Sequence, residues 1–312
     1  MAAPQILVIK LSAFGNIILS LGPFAAIRQH HPDARITLLT TPAYAEWMRS
    51  SPYFDAVITM QRMPWWNLAA LWRMRRQLAD PGFARVYDLQ TSGRSSKLFR
   101  LFPRHHRPEW SGIAAGCSHP DLDPTRDDLH DLDRQVGQLR QAGIRDVPAA
   151  DLSWCRGDIA RFGLPPGIVL LVPGSSAHRP GKRWPIQSYA ALATWLRERG
   201  LTPVAIGSAE ERPLAAAMPD AINLMGQTTP GDLCDLARAA RFAVGNDTGP
   251  IHLTAVAGCP TLVLFSHDSD PALCVPRGRS VSVLRRPSLA DLTVDEVSQA
   301  LADHLREGST PA

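Results

Sequence analysis

Short apolar, β-branched runs alternate with segments of helical periodicity along the chain. In the first half the runs are QILVIK, RITLLTT, DAVITM and ARVYDLQ, at residues 5–10, 35–41, 55–60 and 84–90. Between the last two runs, residues 64–79 carry apolar side chains near a helical period. This alternation predicts parallel β-strands joined by crossover helices, which is the α/β class.

The alternation stops and then restarts, which predicts two domains. Residues 103–160 are rich in Pro, Asp, His and Gly and are predicted to form a looser region with one helix over 129–142. Further apolar runs follow: GIVLLVPG, TPVAIGS, AINLMG, FAVGND, PTLVLFS and SVSVLRR. We therefore expect an N-terminal Rossmann-like domain over 1–160 and a C-terminal one over 161–290. A last helix within 291–312 is expected to pack back across the junction.

Composition indicates an ordinary globular protein of 312 residues, 45% hydrophobic and 20% charged. We find no apolar run long enough to span a bilayer and no secretory signal pattern, and therefore expect a cytoplasmic protein. The five scattered cysteines form no CxxC pair and are expected to be small buried residues. A net charge of +4 favours an anionic substrate or membrane surface, and no nucleic-acid-binding module is evident.

The stretch VGNDTGPIHL has residues suited to binding an anion. A strand is predicted to end at Asp247 and a helix to begin near Thr248, with Pro250 in its first turn and Thr248 or Asp247 as its cap. Such a helix start offers backbone N–H groups to a phosphate, and Gly249 allows close approach. His252 would face the same cleft, although a capped helix with a structural histidine explains the stretch about equally well.

A second anion-suited stretch, VPGSSAHRPGKRWP, follows another predicted strand. Ser175 and Ser176 offer hydroxyl groups, and Lys182 and Arg183 offer positive charge, to a diphosphate. Basic loop residues are often merely solvated, but two such turns in one domain support each other.

Two weaker signals complete the set. IGSAEER places Glu210 and Glu211 just beyond a strand, where a carboxylate can bind ribose hydroxyls, although a solvated acidic helix start explains them nearly as well. GQTT supplies Thr228, which would close a fourth side of the predicted binding site. The chain lacks G-x-G-x-x-G after its first strand, G-x-x-x-x-G-K-[ST] and G-x-S-x-G, which disfavours dehydrogenases, P-loop proteins and α/β-hydrolases.

Three motifs together resemble glycosyltransferase family 9, the lipopolysaccharide heptosyltransferases. They are ILVIKLSAFGNIILSLGPFAAIRQHHPDARITLL, PGSSAHRPGKRWP, and GNDTGPIHL followed by AGCPTLVLF. The resemblance covers most of the chain and implies a GT-B fold, with two Rossmann-like domains facing across a cleft. It implies inverting, metal-independent transfer of a heptose from an ADP-activated donor to the lipopolysaccharide inner core. The implied partners are the nucleotide sugar, an anionic glycolipid acceptor and, peripherally, the cytoplasmic face of the inner membrane, and no cofactor is expected.

The resemblance also implies roles for individual residues. Lys182 would neutralise the leaving nucleotide and Asp247 would hold sugar hydroxyls, so both are candidate catalytic residues. The implied donor-binding set is Ser175, Ser176, Lys182, Glu210, Thr228, Asp247, Thr248, Gly249 and His252. The implied acceptor-binding set consists of basic residues of the N-terminal domain: Arg62, Arg73, Arg76, Arg94 and Lys97. A solvated basic helix explains the acceptor set equally well, and the neighbouring Trp65 and Trp66 could rest on lipid or sugar or fill the interdomain gap.

Asn16 departs from the family pattern. Members usually have Gly-Asp after the first strand, and that aspartate is the proposed base for the acceptor hydroxyl, whereas this chain has Gly15 and Asn16. An amide cannot take a proton, so Asn16 marks the position of the expected base. Three explanations remain open: an engineered change, use of another base such as Asp88, Asp247 or His252, or nucleotide-sugar binding without transfer. An epimerase on the same fold is a further alternative.

Overall fold

The computed structural model describes residues 3–61, 67–176 and 178–307, with side chains up to residue 302. The chain divides into two compact units, Met1–Trp154 and Cys155–Ala312. Each unit has a six-stranded sheet in which all strand pairs are parallel. The α/β class expected from the alternating pattern is therefore confirmed.

The first unit is built around six strands. They are β1 (Gln5–Ile9), β2 (Arg35–Thr40), β3 (Ala56–Thr59), β4 (Arg85–Asp88), β5 (Glu109–Gly112) and β6 (His119–Pro120). Their order in the sheet is β3-β2-β1-β4-β5-β6. Because β1 and β4 are neighbours with Ile9 beside Asp88, the loops that follow these two strands start side by side.

Helices cover this sheet. They are α1 (Phe14–Leu19), α2 (Leu21–His30), α3 (Pro42–Arg49), α4 (Leu68–Ala79), α5 (Gly93–Ser96) and α6 (Asp131–Gln141). Short 3-10 helices occupy Lys97–Leu101, Arg104–His106 and Arg126–Asp128. Met74 and Leu78 attach α4 to a core that includes Leu7, Val86 and Trp110.

The second unit repeats this architecture. Its strands are β7 (Ile168–Val172), β8 (Thr202–Ala205), β9 (Ile222–Asn223), β10 (Phe242–Asn246), β11 (Thr261–Phe265) and β12 (Val281–Arg285), in the order β12-β11-β10-β7-β8-β9. Its α-helices are α7 (Ile186–Arg197), α8 (Pro230–Ala239), α9 (Gly249–Val256), α10 (Pro271–Cys274) and α11 (Val294–Glu307). Further 3-10 helices cover Ala160–Phe162, Pro180–Lys182, Ala209–Ala217 and Leu289–Asp291. Val297 and Leu301 bring α11 into the core of this unit, against α7.

The structure corrects two expectations from the sequence. The region 103–160 is less loose than predicted, because β5 and β6 lie in it and complete the first sheet. These strands are four and two residues long and contain no β-branched residue, so they give no periodic signal. Four cysteines are buried as expected, but Cys274 is only half-buried.

Over the described part of the chain, no helix combines the length and hydropathy needed to cross a bilayer.

Candidate functional site

A buried carboxylate, that of Asp247, lies at the centre of a charged cluster in the second unit. Asp247 directly follows β10, which brings it to the carboxyl edge of the sheet, where open α/β folds bind ligands. Its Oδ2 lies 2.5 Å from the Nζ of Lys182, and its Oδ1 lies 3.6 Å from the Nε2 of His252. The structure thus brings Lys182, which lies 65 residues earlier in the chain, together with Asp247 and His252. Cys274, which the sequence analysis missed, places its Sγ 3.7 Å from the same Oδ2.

The surroundings of this cluster set its electrostatics. The side chains of Lys182 and Asp247 are only 13% and 6% exposed. Burial acts to raise the pKa of Asp247, but His252 and Lys182 outweigh it and hold that pKa well below its ordinary range. Burial, with the nearby Asp247 carboxylate, raises the pKa of the Cys274 thiol to about 12, so the thiol stays protonated. The cluster therefore holds a persistent carboxylate beside a cation.

Asn246, the residue before Asp247, holds the loop that carries Lys182 in place through hydrogen bonds. Its carboxamide is fully buried, and its Nδ2 donates to the carbonyl oxygens of Pro173 and Gly174 at 2.8 and 3.3 Å. Its Oδ1 accepts from the backbone N–H of Trp184 at 3.0 Å and from the hydroxyl of Tyr189 at 3.1 Å. One side chain thus binds both ends of the 173–184 loop to the end of β10. We infer that Asn246 determines where Lys182 stands relative to Asp247.

The helix that follows Asp247 has an open start. Thr248 is the N-cap residue of α9, with extended backbone, and Pro250 lies in the first turn as expected. The expected side-chain cap is wrong: within the described residues no side chain caps α9, and the Asp247 carboxylate faces Lys182 instead. The Nδ1 of His252 is buried without a hydrogen-bond partner in that part of the chain. A ligand with acceptor oxygens would find donors at this helix start.

The two serines of the Lys182 loop differ in environment. Ser175 is buried, and Arg183 donates to its Oγ at 3.1 Å and to its carbonyl oxygen at 2.9 Å. Ser176 is exposed. A Cβ atom on Gly181 would lie 2.3 Å from the Oδ2 of Asp268, so a larger residue there would displace that exposed carboxylate. Arg183 and Ser175 therefore hold the loop, while Ser176 is open to a ligand.

The residues expected near a nucleoside lie on two touching segments. Glu210 is exposed at the start of the Ala209–Ala217 helix, whose Ser208 cap is completed by Glu211. Thr228 is half-buried and follows Gly226, whose φ is +70°. A Cβ atom on Gly226 would lie 2.7 Å from the Cα of Ala209, so only glycine permits this approach. Gly226 thereby allows the turn that leads to Thr228 to pack against Ala209, the first residue of the helix that contains Glu210.

In the first unit, Asn16 lies within α1 rather than in the loop before it, and it is half-buried. Its carbonyl oxygen accepts from the hydroxyl of Ser20 at 2.7 Å, and the same hydroxyl lies 2.8 Å from the Oε1 of Gln135 on α6. The hydroxyl of Ser20 therefore connects the backbone of Asn16 in α1 to Gln135 of α6.

Gln90, which the sequence analysis missed, holds the chain just ahead of α1. Its Oε1 accepts from the backbone N–H groups of Leu11 and Ser12 at 2.8 and 3.2 Å. Gln90 is positioned in turn by Asp88, whose Oδ1 accepts from the N–H groups of Gln90 and Thr91 at 3.2 and 3.1 Å. The loop after β4 thus fixes the loop after β1.

Asp88 and Lys10 lie buried beneath these loops. Burial raises the pKa of Asp88 to about 7 and lowers the pKa of Lys10 to about 7. The Nζ of Lys10 donates to the carbonyl oxygen of Leu89 at 2.9 Å. Asp88 is 0% exposed, so its carboxyl group is closed to a substrate in this structure. This burial disfavours Asp88 as a replacement for the base expected at position 16.

The basic residues expected to bind an acceptor are spread over three elements of the first unit. Arg73 and Arg76 are exposed on α4, Arg94 is half-buried in α5, and Lys97 is exposed at the start of the Lys97–Leu101 helix. Arg62, with Trp65 and Trp66, lies outside the described residues.

The second-unit cluster has the groups needed to bind and stabilise a diphosphate. An ammonium group and a helix N-terminus can compensate developing negative charge in a partly desolvated site. Among the described residues, no group of three or more His, Cys, Asp or Glu side chains could hold a metal ion.

Known proteins resemble this chain over nearly its whole length. "Lipooligosaccharide heptosyltransferase 2" of Haemophilus ducreyi is 24% identical over 95% of this chain and 98% of its own length. The solved E. coli ADP-heptose lps heptosyltransferase II superposes with a TM-score of 0.80 at 20% identity, over 98% of this chain and 100% of that one. E. coli heptosyltransferase WaaC with ADP has a TM-score of 0.74 at 20% identity, over 96% of this chain and 99% of that one.

The structural likenesses confirm the predicted GT-B fold. The sequence model described as glycosyltransferase family 9 (heptosyltransferase) matches residues 71–299, which is more than half of the chain. The match includes Lys182, Asp247 and His252. The chain therefore belongs to glycosyltransferase family 9, the heptosyltransferase family.

Proposed function

We propose that this chain transfers a heptose from ADP-heptose to the inner core of lipopolysaccharide, with inversion at the anomeric carbon and without a metal ion. The observation that carries the proposal is the buried pair of Lys182 and Asp247 beside the open start of α9, in a family 9 chain. The names of the E. coli relatives support the donor, since one is called an ADP-heptose heptosyltransferase and another was solved with ADP.

The donor would be bound by the second unit. Lys182, the N–H groups at Thr248 and Gly249, and Ser176 would contact the diphosphate, with His252 and Ser175 supporting them. Asp247 stays ionised and would accept hydrogen bonds from sugar hydroxyls. Glu210 and Thr228 would lie near the nucleoside.

The reaction defines what the first unit must supply. The acceptor hydroxyl oxygen bonds to the anomeric carbon, the bond from that carbon to the donor phosphate oxygen breaks, and ADP leaves with the electron pair. Lys182 would compensate the charge on ADP. The hydroxyl proton is released to water, because Asn16 can hydrogen-bond the acceptor but cannot accept its proton. Arg94 and Lys97, with the arginines at 62, 73 and 76, would bind its anionic groups.

The decisive experiment compares this chain with its Asn16→Asp variant, using ADP-heptose and a truncated lipopolysaccharide acceptor. A general base contributes about 10²- to 10⁴-fold, so Asn16→Asp is expected to raise kcat by a factor in that range. Asn67→Asp is the matched control, because Asn67 is an exposed N-cap residue of the same unit. That control should leave kcat unchanged.

Two other results would point to the alternative functions. If neither chain turns over but both bind ADP-heptose, the protein is a nucleotide-sugar-binding protein and the transferase proposal is wrong. Formation of an epimerised donor in the absence of acceptor would indicate an epimerase instead.

We also propose that transfer takes place at the cytoplasmic face of the inner membrane. An acceptor with lipid chains is confined to a bilayer, so the enzyme must approach that surface. The net charge of +4 supports attraction to anionic lipids.

A further inference from the structure

We propose that one surface of the first unit, formed by the outer side of α4 and the basic segment 97–107, binds the headgroup layer of an anionic phospholipid bilayer. We call it the α4 surface. The inference deepens the proposed membrane contact, but it rests on features of this surface rather than on transfer chemistry.

The α4 surface concentrates exposed apolar side chains. The described chain exposes six large hydrophobic residues, and three of them lie on α4: Leu68 at 71%, Leu71 at 41% and Trp72 at 57%. Residues three and four apart on a helix share a side, so Leu71 and Trp72 lie next to Leu68. Met74 and Leu78 are buried and hold the helix to the core. The helix therefore presents a second apolar side to solvent, which commonly marks an interaction site.

Arginines border this apolar side. Arg73, Arg75 and Arg76 are all exposed on α4. The guanidinium of Arg76 lies 5.0 Å from the ring centre of Trp72 and 3.4 Å from the Asp80 carboxylate, in a well-exposed ion pair. Such an ion pair contributes little in water and can exchange for a lipid phosphate.

The segment next to α4 is basic as well. No acidic residue occurs between positions 93 and 108. The exposed basic side chains of this segment are Lys97, Arg100, Arg104, His105 and His106. Ala79 at the end of α4 lines a groove of about 480 Å³ together with Phe102, Pro103 and His106. The two parts are therefore adjacent, and the positive charge continues across the groove.

This combination fits a lipid headgroup layer. Tryptophan and leucine side chains enter the boundary between headgroups and acyl chains, while arginines at the rim bind phosphates. Nucleic acid would bind the cationic side chains but would leave the exposed leucines in water. A bilayer of net negative charge contacts both the cationic and the apolar side chains.

The experiment is flotation of the full chain with vesicles of equal parts phosphatidylcholine and phosphatidylglycerol, and with vesicles of phosphatidylcholine alone. Wild-type protein is expected to float with the first and much less with the second. The triple variant Arg73→Gln, Arg75→Gln, Arg76→Gln should weaken binding about a hundredfold, since three juxtamembrane cations are lost. The matched control Arg49→Gln, Arg140→Gln, Arg145→Gln removes equal charge from exposed sites of the same unit and should bind nearly as the wild type does.

A second variant separates this inference from the transferase proposal. Leu68→Ser with Trp72→Ser should weaken vesicle binding at least about tenfold, because apolar burial is lost. It should leave turnover of a soluble, deacylated acceptor unchanged. If wild-type protein floats but no chain turns over, the transferase proposal fails and the lipid surface stands.

The inference is overturned if wild-type protein stays unbound to the anionic vesicles, or if both arginine triples lose binding equally. It is also overturned if the Leu68 and Trp72 variant abolishes a concentration-dependent dimer without affecting flotation, because the surface would then pair two copies of this chain.

Discussion

Lys182 and Asp247 depend on each other, and this dependence gives a prediction for stability. Lys182→Met leaves the Asp247 carboxylate buried without its 2.5 Å cation. Removing one partner of a buried pair costs about 3 to 5 kcal/mol, so we expect a loss of that order in the free energy of unfolding at neutral pH. Urea unfolding measures it. Lys97→Met, at an exposed lysine, is the control and should change stability by less than about 0.5 kcal/mol.

The pH dependence of the free energy of unfolding tests the same ion pair of Lys182 and Asp247. Because the pKa of Asp247 is depressed in the folded state, its contribution is fully present above the unfolded pKa of about 4 and is lost as pH falls below that value. The Lys182→Met variant should therefore lose less stability on acidification than the wild type. An equal loss in both chains would show that Lys182 does not hold the Asp247 pKa down.

Asp88 and Lys10 predict two opposing trends of stability with pH in the first unit. The pKa of Asp88 is raised to about 7, so its contribution to stability falls as pH rises from about 4 to about 7. The pKa of Lys10 is lowered to about 7, so its contribution rises from about pH 7 to pH 10. Urea unfolding across this range should show that Asp88→Asn removes the first trend and Lys10→Met the second. Unchanged slopes in these variants would contradict the prediction.

At the residue scale, the sequence indicated charged groups better than neutral ones. Asp247, Lys182 and His252 stand in turns between strands and helices, where their chemistry suggests a ligand. Asn246 and Gln90 were missed because an amide carries no charge and their hydrogen-bond partners lie 57 to 79 residues away in the chain. Their role appears only when strand neighbours are known.

At the element scale, the 173–184 loop depends on Asn246. Asn246→Asp keeps the acceptor for Trp184 and Tyr189 but loses the donors to Pro173 and Gly174. Because buried partners are left unsatisfied and a charge is buried, we expect a loss of roughly 2 to 4 kcal/mol. We also expect KM for the donor to rise more than kcat falls, since Lys182 would be misplaced. Thermal unfolding and steady-state kinetics measure both.

The control for this element is Asn223→Asp. Asn223 is half-buried at the end of β9 and uses its Oδ1 for a local bond to the N–H of Met225 at 3.0 Å. Its substitution should leave donor KM unchanged. If Asn246→Asp destabilises the protein without raising donor KM, Asn246 supports the fold and does not position Lys182.

Elements with strong periodicity were predicted, and short ones were not. β7, β10 and β11 are buried at every position, and in the sequence β7 is a continuous apolar run while β10 and β11 are mostly apolar. β5 and β6 form through pairing with β4 and with each other, and their few residues have no pattern of their own. α1 also gives a poor signal at its start, because its N-cap residue is Ala13 and, among the described residues, no side chain caps it.

At the scale of the whole molecule, the segment after residue 154 is anchored within the second unit. Arg238 donates to the carbonyl oxygen of Cys155 at 2.8 Å, and the N–H of Gly157 donates to Asp235 at 2.8 Å. Arg161 pairs with the buried Asp232 at 2.7 Å. The second unit therefore has its own sheet and core, and its N-terminal segment is held by contacts within the unit.

We therefore expect residues 155–312, expressed alone, to fold and to bind ADP, because every proposed donor contact lies within them. At about a hundred times its Kd, ADP should stabilise this fragment by about 2.7 kcal/mol, measured as a rise in Tm. AMP is the matched ligand control and should stabilise less, since it lacks the second phosphate that Lys182 and the α9 start would bind. A fragment that unfolds cooperatively but gives no ADP shift, beside a full chain that does, would show that the first unit completes the donor site.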